Sequence, residues 1–128
     1  MKLRIKGSSV RFRLTRSDVG TLIEQGQVDE VTRFPAGQSF GYSLKHNATA
    51  KAIEASFHEG VISIVVPTHT ARVWAASQEA GIQVNLSVNG LPLAVAIEKD
   101  FPCLVDRPLE DDSDAFGRDD LSAEVDKE

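Results

Sequence analysis

The sequence predicts an α+β fold: an antiparallel sheet or partly open barrel of about 7–8 strands carrying two short helices. Three observations predict it. Runs of alternating apolar and polar residues recur along the chain, tight-turn signals separate them, and only two short stretches combine helical spacing with capping residues.

The opening "KLRIKGSSVRFRL" reads as a β-hairpin. Leu3 and Ile5 alternate with Lys2, Arg4 and Lys6, "GSS" supplies the turn, and Val10, Phe12 and Leu14 alternate with Arg11 and Arg13. One face is apolar and the other uniformly basic. In "TRSDVGTLIEQGQ", Thr15 suits an N-cap and Asp18 completes a capping box. Val19, Leu22 and Ile23 fall on one helical face, and Gly26 suits the C-terminal cap. A mixed strand "VDEVTRF", a "PAGQ" turn and "SFGYSLKH" follow, with Phe40, Tyr42 and Leu44 alternating.

"HNATA" reads as loop, and "AIEASFHEGVISIVVP" as a further hairpin turning at His58-Glu59-Gly60. Its return strand, Val61 to Val66, is apolar on both sides, which predicts a central strand covered on both faces. "THTARVWAASQEAG" is the second helix, with Thr68 or Thr70 as cap, Gly81 as stop, and Ala71, Trp74 and Ala75 inward. In "IQVNLSVNGLPLAVAIEKD", apolar residues alternate from Ile82 to Val88 and Asn89-Gly90 is a type I′ turn signal.

These elements fill residues 1–104, read as one domain; residues 105–128 read as an acidic, flexible tail. At 128 residues the chain can bury a core without staples. No apolar run has membrane-helix length, the start lacks a signal-peptide core, and one cysteine forms no internal disulfide, so cytoplasm is the expected location. The net charge of −5 argues against general nucleic-acid binding. It hides an asymmetry: residues 1–18 carry six cations against Asp18, and residues 106–128 carry ten acids against Arg107, Arg118 and Lys127.

Candidate chemistry is sparse. Cys103 stands among Asp100, Phe101 and Asp106, surroundings that raise a thiol pKa rather than activate it, so it reads as a buried small hydrophobe. A metal site from Asp100, Cys103, Asp106, Glu110 and Asp114 would set one soft ligand among hard carboxylates, which is no zinc pattern. The run "EDDSD" lacks the glycine and terminal glutamate of a calcium loop. His46, His58 and His69 fall in no catalytic or metal motif and read as surface residues.

The basic stripe carries more. Lys2, Arg4, Lys6, Arg11 and Arg13 should share one hairpin face, where directly opposed like charges repel. Acids such as Asp29, Glu30 and Glu54 on neighbouring strands could balance them, or the face binds an anion.

The stretches "MKLRIKGSSVRFRLTRSDV", "SFGYSL", "VPTHTARVWAAS" and "IEKDFPCL…EDDSDAF" together resemble a family of small, functionally uncharacterised bacterial proteins. The resemblance implies that Asp100, Phe101, Cys103, Glu110 and Asp114 belong to a shared pattern, and it implies no activity or cofactor. In that family the tail continues with Pro-Asn-Pro after the aromatic, whereas Phe116 here precedes Gly117-Arg118-Asp119.

The leading expectation is a non-enzymatic cytoplasmic module without cofactor, using the basic hairpin face to bind an anionic small molecule or an acidic protein segment. One alternative is a small phosphate-handling enzyme in which that face lines a barrel, similar to triphosphate-tunnel proteins. Those carry alternating metal-binding glutamates in the first strand, and "KLRIK" has none; only Glu54 and Glu59 fall in a later strand pair. The other alternative is metal binding through the Cys103 segment.

Overall fold

The computed structural model describes residues 1–101, in which four hairpins and two α-helices follow one another. The strands are β1 (Lys2–Lys6), β2 (Ser9–Leu14), β3 (Gln27–Arg33), β4 (Ser39–Asn47), β5 (Glu54–His58), β6 (Val61–Pro67), β7 (Gly81–Val88) and β8 (Leu91–Lys99). Helix α1 (Arg16–Gln25) joins β2 to β3, and α2 (Thr68–Ala76) joins β6 to β7. The strands form two four-stranded sheets, sheet A in the order β1-β2-β8-β7 and sheet B in the order β3-β4-β6-β5. The α+β class, the eight strands and the two helices agree with the sequence.

The sheets are mixed rather than purely antiparallel. Each hairpin is antiparallel, but β2 runs parallel to β8 and β4 parallel to β6. Turn chemistry dictates pairing only within a hairpin. Which hairpins then meet is decided by the core they bury together. In sheet A, Leu3, Phe12, Ile97 and Ile82 form one row across four strands; in sheet B, Val28, Leu44, Ile64 and Ala55 do the same. Phe12, Leu44, Ile64 and Ile97 are all at most 1% exposed and belong to a single apolar cluster.

The two halves of the chain repeat one plan. Elements begin at Lys2, Ser9, Arg16, Gln27 and Ser39 in the first half, and at Glu54, Val61, Thr68, Gly81 and Leu91 in the second. Both halves read hairpin, helix, hairpin, at a nearly constant offset. Exchanging the halves maps the strand order of sheet A onto that of sheet B. Both sheets therefore draw one hairpin from each half.

The helices plug one end of the sheet pair and contact each other. Helix α1 has the expected capping box, with Thr15 accepting from the Asp18 N–H while Asp18 accepts from the Thr15 N–H. Gly26 caps its C-terminus at φ 87°, donating to the Leu22 carbonyl. Helix α2 departs from expectation at both ends. Pro67 precedes it without a side-chain cap, and the Thr68 hydroxyl instead lies 2.9 Å from His46 Nδ1. Ser77, not Gly81, closes it, both its N–H and its hydroxyl donating to the Trp74 carbonyl.

Gly81 serves β7 instead. A Cβ there would stand 2.9 Å from the Ile97 carbonyl oxygen. Trp74 packs in the core at 2% exposure, with Lys99 Nζ 5.4 Å from its ring centroid.

Strand β6 is interior to its sheet, as its composition predicts. It is not covered on both faces, however: Ile64 and Val66 are buried while Val61 is exposed. The second helix lies over the end of the barrel-like pair rather than over this sheet's outer face.

All four hairpin turns lie at the end opposite the helices. This follows from the parallel pairs: the turns preceding β2 and β8 share one end of sheet A, and those preceding β4 and β6 share one end of sheet B.

Candidate binding surfaces

The basic stripe forms as expected, on the outside. Because Leu3 and Phe12 point into the core, their neighbours on β1 and β2 point away from it. Lys2 stands opposite Arg13 and Arg4 opposite Arg11, with Lys6 opposite Ser9 near the turn. Among the described residues the two sheets do not close into one barrel and the core between them is apolar, so this outward face does not line a tunnel.

The counter-charges differ from those expected. Asp29, Glu30 and Glu54 belong to sheet B. Among the described residues, balancing carboxylates come from the end of β8 and just beyond it, because the parallel β2–β8 pairing sets Glu98 beside Arg13. Glu98 Oε1 lies 3.5 Å from Arg11 Nε and 3.7 Å from Arg13 Nε, with all three side chains at most 15% exposed. Asp100 Oδ2 lies 3.5 Å from the exposed Lys2 Nζ. Among the described residues, Glu98 and Asp100 are thus carboxylates that share this face with the five cations.

Beside this stripe the outward residues of β8 shrink to Ala94 and Ala96. Ala96 lies between Arg11 on β2 and Gln83 on β7, and Ala94 lies between Ser9 and Asn85. The short side chains leave a trough of about 450 Å³ with a cationic wall and an amide wall.

A second surface opens at the turn end, where the two sheets part. The cavity there, about 380 Å³, runs from Ile5 and Leu93 of sheet A to Phe40 and Phe57 of sheet B, over a floor of Ile64 and Val95. The two rings are tilted at 45° with centroids 6.4 Å apart. At the rim Phe57 is 66% exposed and Ile5 53%. Sequence reasoning passed over this mouth. Its signal was apolar alternation persisting up to the turns, at Ile5, Phe57 and Leu93, where a closed core would leave polar residues.

Opposite charges also meet at the start of β1. The Met1 ammonium lies 2.9 Å from Asp18 Oδ2 and 2.8 Å from Glu30 Oε2, and the Tyr42 hydroxyl donates to the Met1 carbonyl at 2.8 Å. Burial opposes the charge on the ammonium, but its hydrogen bonds to Glu30 and Asp18 raise its pKa overall. Burial likewise opposes the Asp18 carboxylate, and hydrogen bonds from the ammonium and Thr15 lower its pKa overall. Burial, then the Glu30 and Asp18 charges, raise that of Tyr42. These contacts tie the edge of sheet A to α1 and sheet B.

Of the histidines, His58 and His69 are exposed as expected, whereas His46 is half-buried against Thr68. Of the candidate metal ligands only Asp100 is described; Cys103, Asp106, Glu110 and Asp114 lie outside the described residues, as does the 105–128 tail. Among the described residues no three His, Cys, Asp or Glu side chains are grouped to hold a metal ion, and no helix is long and apolar enough to cross a membrane.

The sequence profile of DUF7009, a family of unknown function, matches residues 1–120. Neither the curated proteins nor the solved structures provide a significant match.

Proposed function

Since the chain belongs to this family of unknown function, we propose that it is a non-enzymatic binding module that takes an anionic ligand on the outer face of sheet A. One observation carries the reading: five cations share one outer face beside an alanine-floored trough walled by Arg11, Gln83 and Asn85. The exposed cations draw anions by their field. A guanidinium beside two carboxamides gives directional donors for phosphate or carboxylate oxygens. The ligand is a phosphorylated or carboxylated small molecule, or an acidic peptide laid along the strands.

Titration with inorganic tripolyphosphate at low and high salt tests this. Arg4 and Lys6 are exposed, so replacing both by glutamate leaves the core untouched. The double variant should bind at least tenfold more weakly and show a shallower salt dependence. Unchanged affinity would remove the face from consideration. The ten acids of residues 106–128 are natural competitors for the same cations. A chain ending at residue 104 should therefore bind tripolyphosphate more tightly than the full chain at low salt, and equally at high salt.

A further inference from the structure

We infer that the mouth between the two sheets is a second site, distinct from the alanine-floored trough but adjoining the turn end of the basic face, which holds the unbranched aliphatic chain of a small amphiphile with an anionic head. Its lining defines the chemistry. Of the ten described residues around it, Ser56 alone has a polar side chain, so what enters is apolar and is held without directional hydrogen bonds. The floor is closed by Ile64 and Val95, one from each sheet and both at most 2% exposed, so the cavity is blind at its inner end. Its volume of about 380 Å³ sits near the lower limit of small-molecule sites, roughly 300–1,000 Å³. That favours one narrow chain over a ring system.

A protein partner fits less well. A stable interface engages about 20–30 residues a side, and ten residues around a recess do not supply them. A chain entering end-on, by contrast, covers the inward surface of Phe57 and Ile5, the two rim residues left more than half exposed.

The rim sets the head-group charge. Ile5 stands between Arg4 and Lys6 on edge strand β1, so a chain lying on Ile5 brings its head beside the turn end of the basic stripe. Across the mouth the Glu59 carboxylate lies 3.6 Å from His58 Nε2 and is more than four-fifths exposed, one anion against the two cations that flank Ile5. An anionic head is therefore favoured over a cationic one.

The test is titration of methyl-labelled full-length protein with octanoate, decanoate, dodecanoate and decyltrimethylammonium, each below its micelle concentration. Saturable shifts are expected at the Ile5, Ile62, Ile64 and Leu93 methyls. Affinity should rise about fourfold per methylene and then stop rising once the slot is full. Decanoate should bind more tightly than decyltrimethylammonium.

Ala55→Phe fills the slot and should abolish binding. Phe57→Ala, at an exposed rim position that cannot unfold the core, should weaken it several-fold. Shifts that never saturate, affinity that climbs with chain length without a limit, or equal binding of the two head groups would each overturn the proposal. So would undiminished binding by both variants. Tripolyphosphate binding is measured alongside, so failure at one surface is read separately from failure at the other.

Discussion

Trp74 shows how one residue joins two layers. Its ring is buried among core side chains while Lys99 crosses its face and donates from Nζ to the Ser77 carbonyl at 2.6 Å. Trp74→Ala should cost about 3–5 kcal/mol, as large-to-small core changes do, and urea unfolding measures it. A loss below about 1 kcal/mol would contradict this packing. The Met1 cluster gives stability a pH signature. Asp18 has a lowered folded pKa, so its contribution is present above the ordinary carboxyl value of 3.8 and lost as pH falls through the folded value. The Met1 ammonium has a raised one, so its contribution is complete below the ordinary 8.0 and lost as pH rises through the folded value. Urea midpoints should form a plateau between these limits. Asp18→Asn should shrink the acid limb and Glu30→Gln the alkaline one.

At the level of elements, two positions report on how strands and helices are held. Thr15→Ala removes the hydroxyl that accepts from the Asp18 N–H and should cost about 0.5–2 kcal/mol in chemical denaturation. Gly81→Ala sets a methyl 2.9 Å from the Ile97 oxygen and 3.1 Å from Glu98 Cγ, which forces β7 away from β8. The expected cost is about 1–3 kcal/mol, with amide exchange increasing along β7. Glu98 links this row to the basic face. Glu98→Gln keeps the shape and removes the charge between Arg11 and Arg13, so stability should fall while tripolyphosphate affinity rises. A fall in both would mean that Glu98 orients the arginines rather than competing for them.

At the scale of the whole molecule, the repeated plan couples the two halves. Phe12 pairs with Ile97 and Leu44 with Ile64, so each sheet's inner pairing joins residues from different halves. Neither half can complete a sheet alone. The exposed loop after β4 offers a cut that breaks no strand. Fragments 1–50 and 51–128 should each lack cooperative unfolding, and an equimolar mixture should recover the near-ultraviolet signal of Trp74. Cooperative, concentration-independent unfolding of either fragment by itself would show that the halves are autonomous.

Local chemistry made the elements legible. The Thr15–Asp18 box, the Gly26 cap, the Asn89-Gly90 turn and the alternation of Phe12 with Arg11 and Arg13 each act over a few residues, so sequence alone determined the hairpins, helix α1 and the outward basic stripe. Even locally it misassigned the ends of α2, because Thr68 turned to His46 and Gly81 was needed for close strand approach. The parallel joins, the Glu98 counter-charge and the mouth were settled only by tertiary structure. Each depends on which distant hairpins lie side by side. That choice comes from burying Phe12, Leu44, Ile64 and Ile97 in one core, and alternation looks the same whichever partner completes the sheet.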